Sequence, residues 1–221
     1  MTSNQNKREL LRQKRKEQKR RKIYMTALIT VAVLSVIGLL AFLPKLLSTP
    51  ANYDSSQGFS LGDPNAPVKV VAFSSYTCGY CKIFSEGLEK DFIEDYVDTG
   101  KVYYRYVNMA NTSEESINAA EASHCAADQN KFFEYKGLLY TYASAAEGFS
   151  LENLIRYANS AGLDAEAFEA CMLSDQYSQA YLDDRSYAQS NGVTATPTFL
   201  VNDQLVYSNE LITTVEDLLS N

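Results

Sequence analysis

Cys78 and Cys81, in the stretch SSYTCGYCKIF that runs from Ser74 to Phe84, are the side chains whose type and spacing could do chemistry. They follow directly on the apolar run Val68-Lys69-Val70-Val71-Ala72-Phe73. A Cys-x-x-Cys where a strand passes into a helix sets the first sulfur at the helix N-terminus. Unpaired backbone N–H groups and the helix dipole favour a thiolate there, and thiols at such sites titrate well below about 8.5. The second sulfur lies one turn in on the same face, close enough to bridge, so a disulfide between them is short and exchangeable. The same pair could instead be an inert staple or half of a zinc site. Zinc would need Cys78 and Cys81 joined by two of Cys125, Cys171 and His124. Those pairs sit in different parts of the chain, and no metal is expected. His124, the single histidine, reads as a surface residue or a satisfied helix residue, and the 16 tyrosines mostly as packing. A second signal is Thr196-Pro197-Thr198, where a proline opens a strand. Proline cannot donate to a sheet ladder. A cis bond before it, inexpensive for X-Pro, would turn the strand's edge towards the dithiol and offer backbone groups to an extended peptide.

The elements that carry these residues come after a strong change in charge. Residues 1–22 hold ten Lys/Arg against two Glu, whereas residues 48–221 hold nine Lys/Arg against 25 Asp/Glu. Between them Met25 to Leu43, MTALITVAVLSVIGLLAFL, carries no charge across 19 residues. As a helix it spans about 28 Å, close to a bilayer's hydrocarbon core of roughly 30 Å. The run is longer than a signal-peptide core and no A-x-A site follows, so residues 23–47 are expected to be an uncleaved signal anchor. The basic tail 1–22 then stays in the cytoplasm and the acidic remainder is carried across. An acidic ectodomain offers no face for phosphates, and no nucleic acid partner is expected. Residues 48–58, STPANYDSSQG, read as a flexible linker. Four cysteines outside the membrane fit two disulfides, with three possible pairings that spacing does not choose between.

From residue 59 the periodicity predicts one domain. GDPNAP is a turn cluster before a buried central strand, Val68 to Phe73. Ile83, Phe84, Leu88, Phe92, Ile93 and Tyr96 recur at helical spacing up to about Gly100. KVYYRYV, Lys101 to Val107, is a second strand, which completes a βαβ unit. From about 112 to 191 the chain reads as helical. Thr112 and Glu115 form a candidate capping box. Phe132, Tyr135, Leu139 and Tyr142 mark one helix; Leu151, Leu154, Ile155 and Ala158 mark another, capped by Ser150. Asp164 caps a third, and a fourth runs from about Asp175. A hairpin, TPTFLV and QLVYS about Asn202-Asp203, and a final helix with Leu211, Val215, Leu218 and Leu219 close the chain.

Three segments, GDPNAPVKVVAFSSYTCGYC, NKFFEYKGLLY and NGVTATPTFLVN, resemble the DsbA-like thiol–disulfide oxidoreductases of the thioredoxin superfamily, in particular the membrane-anchored bacterial group. The resemblance covers residues 61–219. It implies an α/β thioredoxin-like fold with an inserted helical subdomain, preceded by one N-terminal transmembrane helix. It also implies that Cys78 is the nucleophile and Cys81 the resolving thiol of a redox-active disulfide. Gly79, Tyr80, Thr196 and Pro197 would contact substrate. Because the inserted helices of that family pack together, Cys125 and Cys171 would form a structural disulfide, whose long loop is worth about 4 kcal/mol by chain entropy. The expected function is to introduce disulfides into secreted or extracytoplasmic proteins from the outer face of the cytoplasmic membrane, with no cofactor of its own. The expected partners are reduced client proteins and a membrane quinone-linked re-oxidant, DsbB-like or similar to vitamin K epoxide reductase. Two departures bear on this. The family often has Asp where this chain has Ser75, and Pro where it has Gly79. Cys-Gly-Tyr-Cys with Thr196 before the proline is similar to the dimeric disulfide isomerases. An isomerase or reductase of the same fold is therefore one alternative, and a non-enzymatic membrane-tethered binding domain is another.

Overall fold

A strand that is apolar on both faces must be covered on both, and Val68–Ser74 is placed accordingly at the centre of the sheet. The computed structural model describes Met25, residues 59–142 and residues 148–220. The expected membrane helix, basic tail and linker lie outside the described residues. No helix among the described residues is long and apolar enough to cross a membrane. Five strands lie in the order β1 (Ser60–Leu61), β3 (Val102–Asn108), β2 (Val68–Ser74), β4 (Thr198–Val201), β5 (Gln204–Val206). β2 and β3 are parallel, with Val68 beside Val102 and Ser74 beside Asn108. β4 returns antiparallel to β2, with Thr198 beside Phe73, and β5 completes the hairpin about Asn202, whose φ is 50°. β1 is an edge strand that periodicity did not reveal, because two residues carry no period.

One sheet face packs Val68, Val70, Ala72 and Phe199 against the helices α1 (Gly79–Glu86), α2 (Leu88–Phe92) and α8 (Leu211–Ser220), through Phe84, Phe92, Leu211 and Val215. The other face sets Phe73 and Val107 against Ala188 of α7 (Ala180–Ser190). Between β3 and β4 the chain builds a helical layer from α3 (Glu114–Asp128), α4 (Phe132–Tyr142), α5 (Leu151–Ser160) and α6 (Ala165–Leu173), whose core reaches down to Tyr76, Cys81 and Tyr106.

Several local expectations need correction. The helix after the cysteines is not continuous. It breaks at Gly87, whose N–H bonds both Ile83 O and Phe84 O, and it ends in a π-turn at Ile93–Val97. Ile83 and Leu88, expected in the core, are exposed, while Cys81 and Phe84 form the buried face of α1. The cap of α3 is Ser113, not Thr112: its side chain accepts from Ser116 N. Ser150 and Asp164 cap α5 and α6 as expected, while α7 starts at Ala180 rather than near Asp175. His124 is neither on the surface nor satisfied. It is only 4% exposed, it lies edge-on to Phe59 and stacked on Tyr177, and neither ring nitrogen has a hydrogen-bond partner. Burial pulls its pKa down to about 4, so it is neutral at physiological pH.

Candidate active site

The end of β2 delivers Ser74, Ser75 and Tyr76 into the interior. The turn that follows, with Cys78 N donating to Ser75 O at 3.1 Å, starts α1. Cys78 is the N-cap of that helix, with extended backbone at φ −93° and ψ 119°. The two sulfurs are not bonded to each other and sit in opposite environments. Cys78 is half-buried, and Gly79 and Tyr80 after it are exposed, Tyr80 at 76%. Cys81 has no exposed surface.

Electrostatics follow geometry. Burial works to raise the Cys78 pKa, but it is outweighed. Hydrogen bonds from the Thr196 and Cys81 side chains and from the backbone N–H groups of Cys81 and Tyr80 hold the thiol below its ordinary value. The last two are the free donors of the first helical turn. At Cys81 burial wins and pushes the thiol up to about 11. The two cysteines are thus shifted in opposite directions, the accessible one towards the thiolate and its buried neighbour towards the thiol.

The third part of the site comes from far along the chain. β4 lies antiparallel to β2, so the residues just before Thr198 run alongside Ser74 and Ser75 towards the helix start. The Thr196–Pro197 bond is cis. The Thr196 carbonyl accepts from Cys78 Sγ at 3.4 Å, across 118 positions of sequence. Thr196 is half-buried and Pro197 buried. Of the residues expected at the site, Gly79, Tyr80 and Cys81 form the first turn of α1 after Cys78, and Thr196, followed by Pro197, meets Cys78 from β4's side. Cys125 of α3 and Cys171 of α6 are bonded to each other, with Cα atoms 5.8 Å apart, away from the Cys78–Cys81 pair. Among the described residues no cluster of three or more His, Cys, Asp or Glu is placed to hold a metal.

One constellation beside the site was missed. Glu89 of α2 and Lys136 of α4 form an ion pair in which each side chain is only 5% exposed. Glu89 also accepts from Tyr104 Oη at 2.6 Å and Ser85 Oγ at 2.8 Å, and Lys136 donates to Ser85 Oγ at 3.0 Å. The ammonium lies over the rings of Tyr106, Tyr140 and Phe133. The pair joins the redox-site helix segment to the inserted helices, and it lines a cavity of about 310 Å³ with Lys90, Ile93 and Gly137. A lysine in the apolar stretch FFEYKGLLY was the available signal. Lysine is seldom fully buried unless paired.

Residues 54–221 match the family described as Thioredoxin (Thioredoxin_4). The crystal structure of oxidised BdbD from Bacillus subtilis superposes with a TM-score of 0.68 at 26% identity, covering 75% of this chain and 94% of that one. The Bacillus cereus protein named "Probable disulfide bond formation protein D" is 26% identical over 189 residues, 80% of this chain and 86% of its own length. A 144-residue stretch of the Na(+)/H(+) antiporter NhaA 1 from Mycobacterium sp. (strain KMS) is 29% identical and covers 64% of this chain. The present chain spans only 23% of the antiporter's length. Chlamydia trachomatis DsbA shares the fold, with a TM-score of 0.68 at 24% identity, covering 78% of this chain and 94% of its own. The family match over residues 54–221 and the shared thioredoxin-like fold with its helical insertion place the chain in the thioredoxin family, among its DsbA-like members.

Proposed function

We propose that this protein is a thiol–disulfide oxidoreductase that introduces disulfides into extracytoplasmic proteins. The observation that carries the reading is the asymmetry of the dithiol. Cys78 is accessible and thiolate-prone, Cys81 is sealed, and the Thr196 carbonyl stands beside the accessible sulfur. In the disulfide form a client thiolate attacks Cys78 Sγ and Cys81 leaves. A second client thiolate then displaces Cys78, the client disulfide forms, and the two electrons remain on Cys78 and Cys81. A stabilised Cys78 thiolate favours this direction because it stabilises the reduced enzyme. Gly79, Tyr80, Thr196 and Pro197 are the surface on which the client chain lies. A membrane quinone-linked protein, DsbB-like or related to vitamin K epoxide reductase, then returns the pair to the disulfide. Oxidised protein mixed with a reduced, unfolded secretory protein should transfer its disulfide stoichiometrically. Its reduction potential should lie above about −180 mV. A potential near that of thioredoxin, about −270 mV, would make it a reductase instead. The Cys-Gly-Tyr-Cys sequence with Thr196 keeps the isomerase reading in view, and rescue of scrambled disulfides without net oxidation would select it.

The same reading includes the anchor. Residues 23–47 tether the catalytic domain, residues 59–221, to the outer face of the cytoplasmic membrane through the linker 48–58, on the strength of the uncharged run and its one-sided basic flank. Protease added outside intact cells should leave a short protected N-terminal fragment in the membrane fraction. A soluble mature chain beginning after Leu47 would show the segment to be a cleaved leader.

A further inference from the structure

The loop that carries Thr196 to the dithiol is fixed at both ends. On entry Val193 is buried and its N–H donates to Ala188 O of α7 at 3.0 Å. On exit Thr198 begins β4 beside Phe73 of β2. Between them Thr194 and Ala195 are exposed. The Thr196 carbonyl nonetheless stands at a defined place, where it accepts from Cys78 Sγ at 3.4 Å. In the disulfide form Cys78 has no S–H to donate. The same carbonyl is then an open acceptor beside the sulfur that a client attacks, and a backbone N–H adjoining the client's cysteine is the donor that fits it.

Thr198 is polar yet only 5% exposed. Its hydroxyl donates to Ala195 O at 2.7 Å, three residues back along the chain, as Ser and Thr side chains do in local turns. The bond closes the stretch from Ala195 to Thr198 around Thr196 and Pro197. Its two ends are held differently. The Thr198 backbone belongs to the sheet, in register with Phe73, whereas Ala195 lies in the exposed part of the loop. The hydroxyl therefore ties the outer side of the turn to the sheet, and the carbonyl between the two tied residues keeps its direction. Valine would fill the same place in the strand without supplying this bond.

We propose that Thr198 is a positioning residue for client binding: by holding Ala195, its hydroxyl aims the Thr196 carbonyl at the backbone N–H that adjoins the client's attacking cysteine. This rests on the oxidoreductase reading and deepens it. Thr198 touches neither sulfur and acts through Thr196. The substrate class it favours is an extended peptide chain, recognised by main-chain hydrogen bonding that is indifferent to side-chain identity. A small dithiol without a peptide backbone gains nothing from it.

The test uses the full-length chain in its disulfide form and a synthetic peptide with two cysteines, in a single turnover. One peptide thiolate attacks Cys78 Sγ and Cys81 leaves. The other peptide thiolate then attacks the peptide sulfur of the mixed disulfide and Cys78 leaves, so two electrons pass from the peptide to the dithiol and the peptide closes its own disulfide. Acid quench and mass spectrometry give the rate as a function of peptide concentration. Thr198→Val should raise the half-saturating concentration about fivefold, the scale of one hydrogen bond, and leave the maximal rate unchanged, as expected when binding alone is lost. Reduction of the same disulfide by dithiothreitol should be unchanged, and Thr198→Ser, which keeps the hydroxyl, should behave as wild type. A second arm needs no variant. A peptide N-methylated at the attacking cysteine and at the residue after it should bind wild type less well by about the same factor of five, and Thr198→Val should not distinguish the two peptides. The proposal is overturned if Thr198→Val binds the unmethylated peptide as wild type does, or if Thr198→Ser binds it no better than Thr198→Val. An equal slowing with dithiothreitol also overturns it, since that marks a structural role, and so does equal binding of both peptides by the wild-type chain. If the wild-type chain oxidises neither peptide, the oxidoreductase reading falls and takes this inference with it.

Discussion

Cys81→Ser is expected to accumulate disulfide-linked adducts with client proteins, Cys78→Ser to accumulate none, and both to lose turnover almost entirely. The reasons lie in where the two sulfurs sit. Cys78 caps α1, is half-buried, and is held below the ordinary thiol pKa because hydrogen bonds from Thr196, Cys81 and the first-turn N–H groups outweigh its partial desolvation. It is therefore the sulfur that a client thiol or disulfide can reach and the one that leaves readily. Cys81 is sealed beneath it and titrates near 11. It can attack only a sulfur already attached to Cys78. Removing Cys81 thus preserves attack and abolishes resolution, and the mixed disulfide persists. Membranes from cells expressing each variant, run on a non-reducing gel, provide the readout. Adducts in Cys78→Ser but not in Cys81→Ser would reverse the assignment. Their absence in both, with Cys78 titrating as an ordinary thiol, would remove the basis for the enzyme reading.

Lys136→Met should destabilise the fold by about 3–5 kcal/mol, the usual loss when one partner of a buried ion pair is removed. For a domain whose total stability is about 5–15 kcal/mol, that is a large share. The substitution keeps the length and apolar stem of the side chain but leaves Glu89 as a buried charge with only Tyr104 and Ser85 as donors. A neutral acceptor should largely repair the defect, since the Lys136→Met/Glu89→Gln double variant retains an oxygen for the Tyr104 hydroxyl and buries no net charge. Urea unfolding monitored by far-UV circular dichroism measures both. If the single and double variants unfold at the same denaturant concentration, the pair is not what holds α2 to α4.

Much of this arrangement was legible in the residue order, and the legible parts are those whose physics is local. A strand apolar on both faces belongs at the centre of a sheet, and β2 is there. A Cys-x-x-Cys following such a strand falls on the first turn of a helix, because 3.6 residues per turn leaves little choice. Ser150 and Asp164 announce their helices by capping them. A proline opening β4 signals an irregular backbone. Other features depend on which surfaces meet. Nothing near Cys125 in the chain selects Cys171 over the other two cysteines; the packing of α3 on α6 selects it. The Thr196 carbonyl reaches Cys78 only because the register of β4 on β2 carries it past Ser74. The break at Gly87 is imposed on a stretch whose spacing reads as unbroken helix, and Ile83 and Leu88 of that stretch face outward. His124, Glu89 and Lys136 are polar residues on otherwise ordinary helices, and whether each is solvated, paired or stranded was decided when the insertion closed over the sheet. Periodicity and caps act between neighbours a few residues apart, so the sequence carries them directly. Charge pairing, burial and the sealing of Cys81 arise between residues from distant parts of the chain, and only the packed tertiary structure supplies those distances.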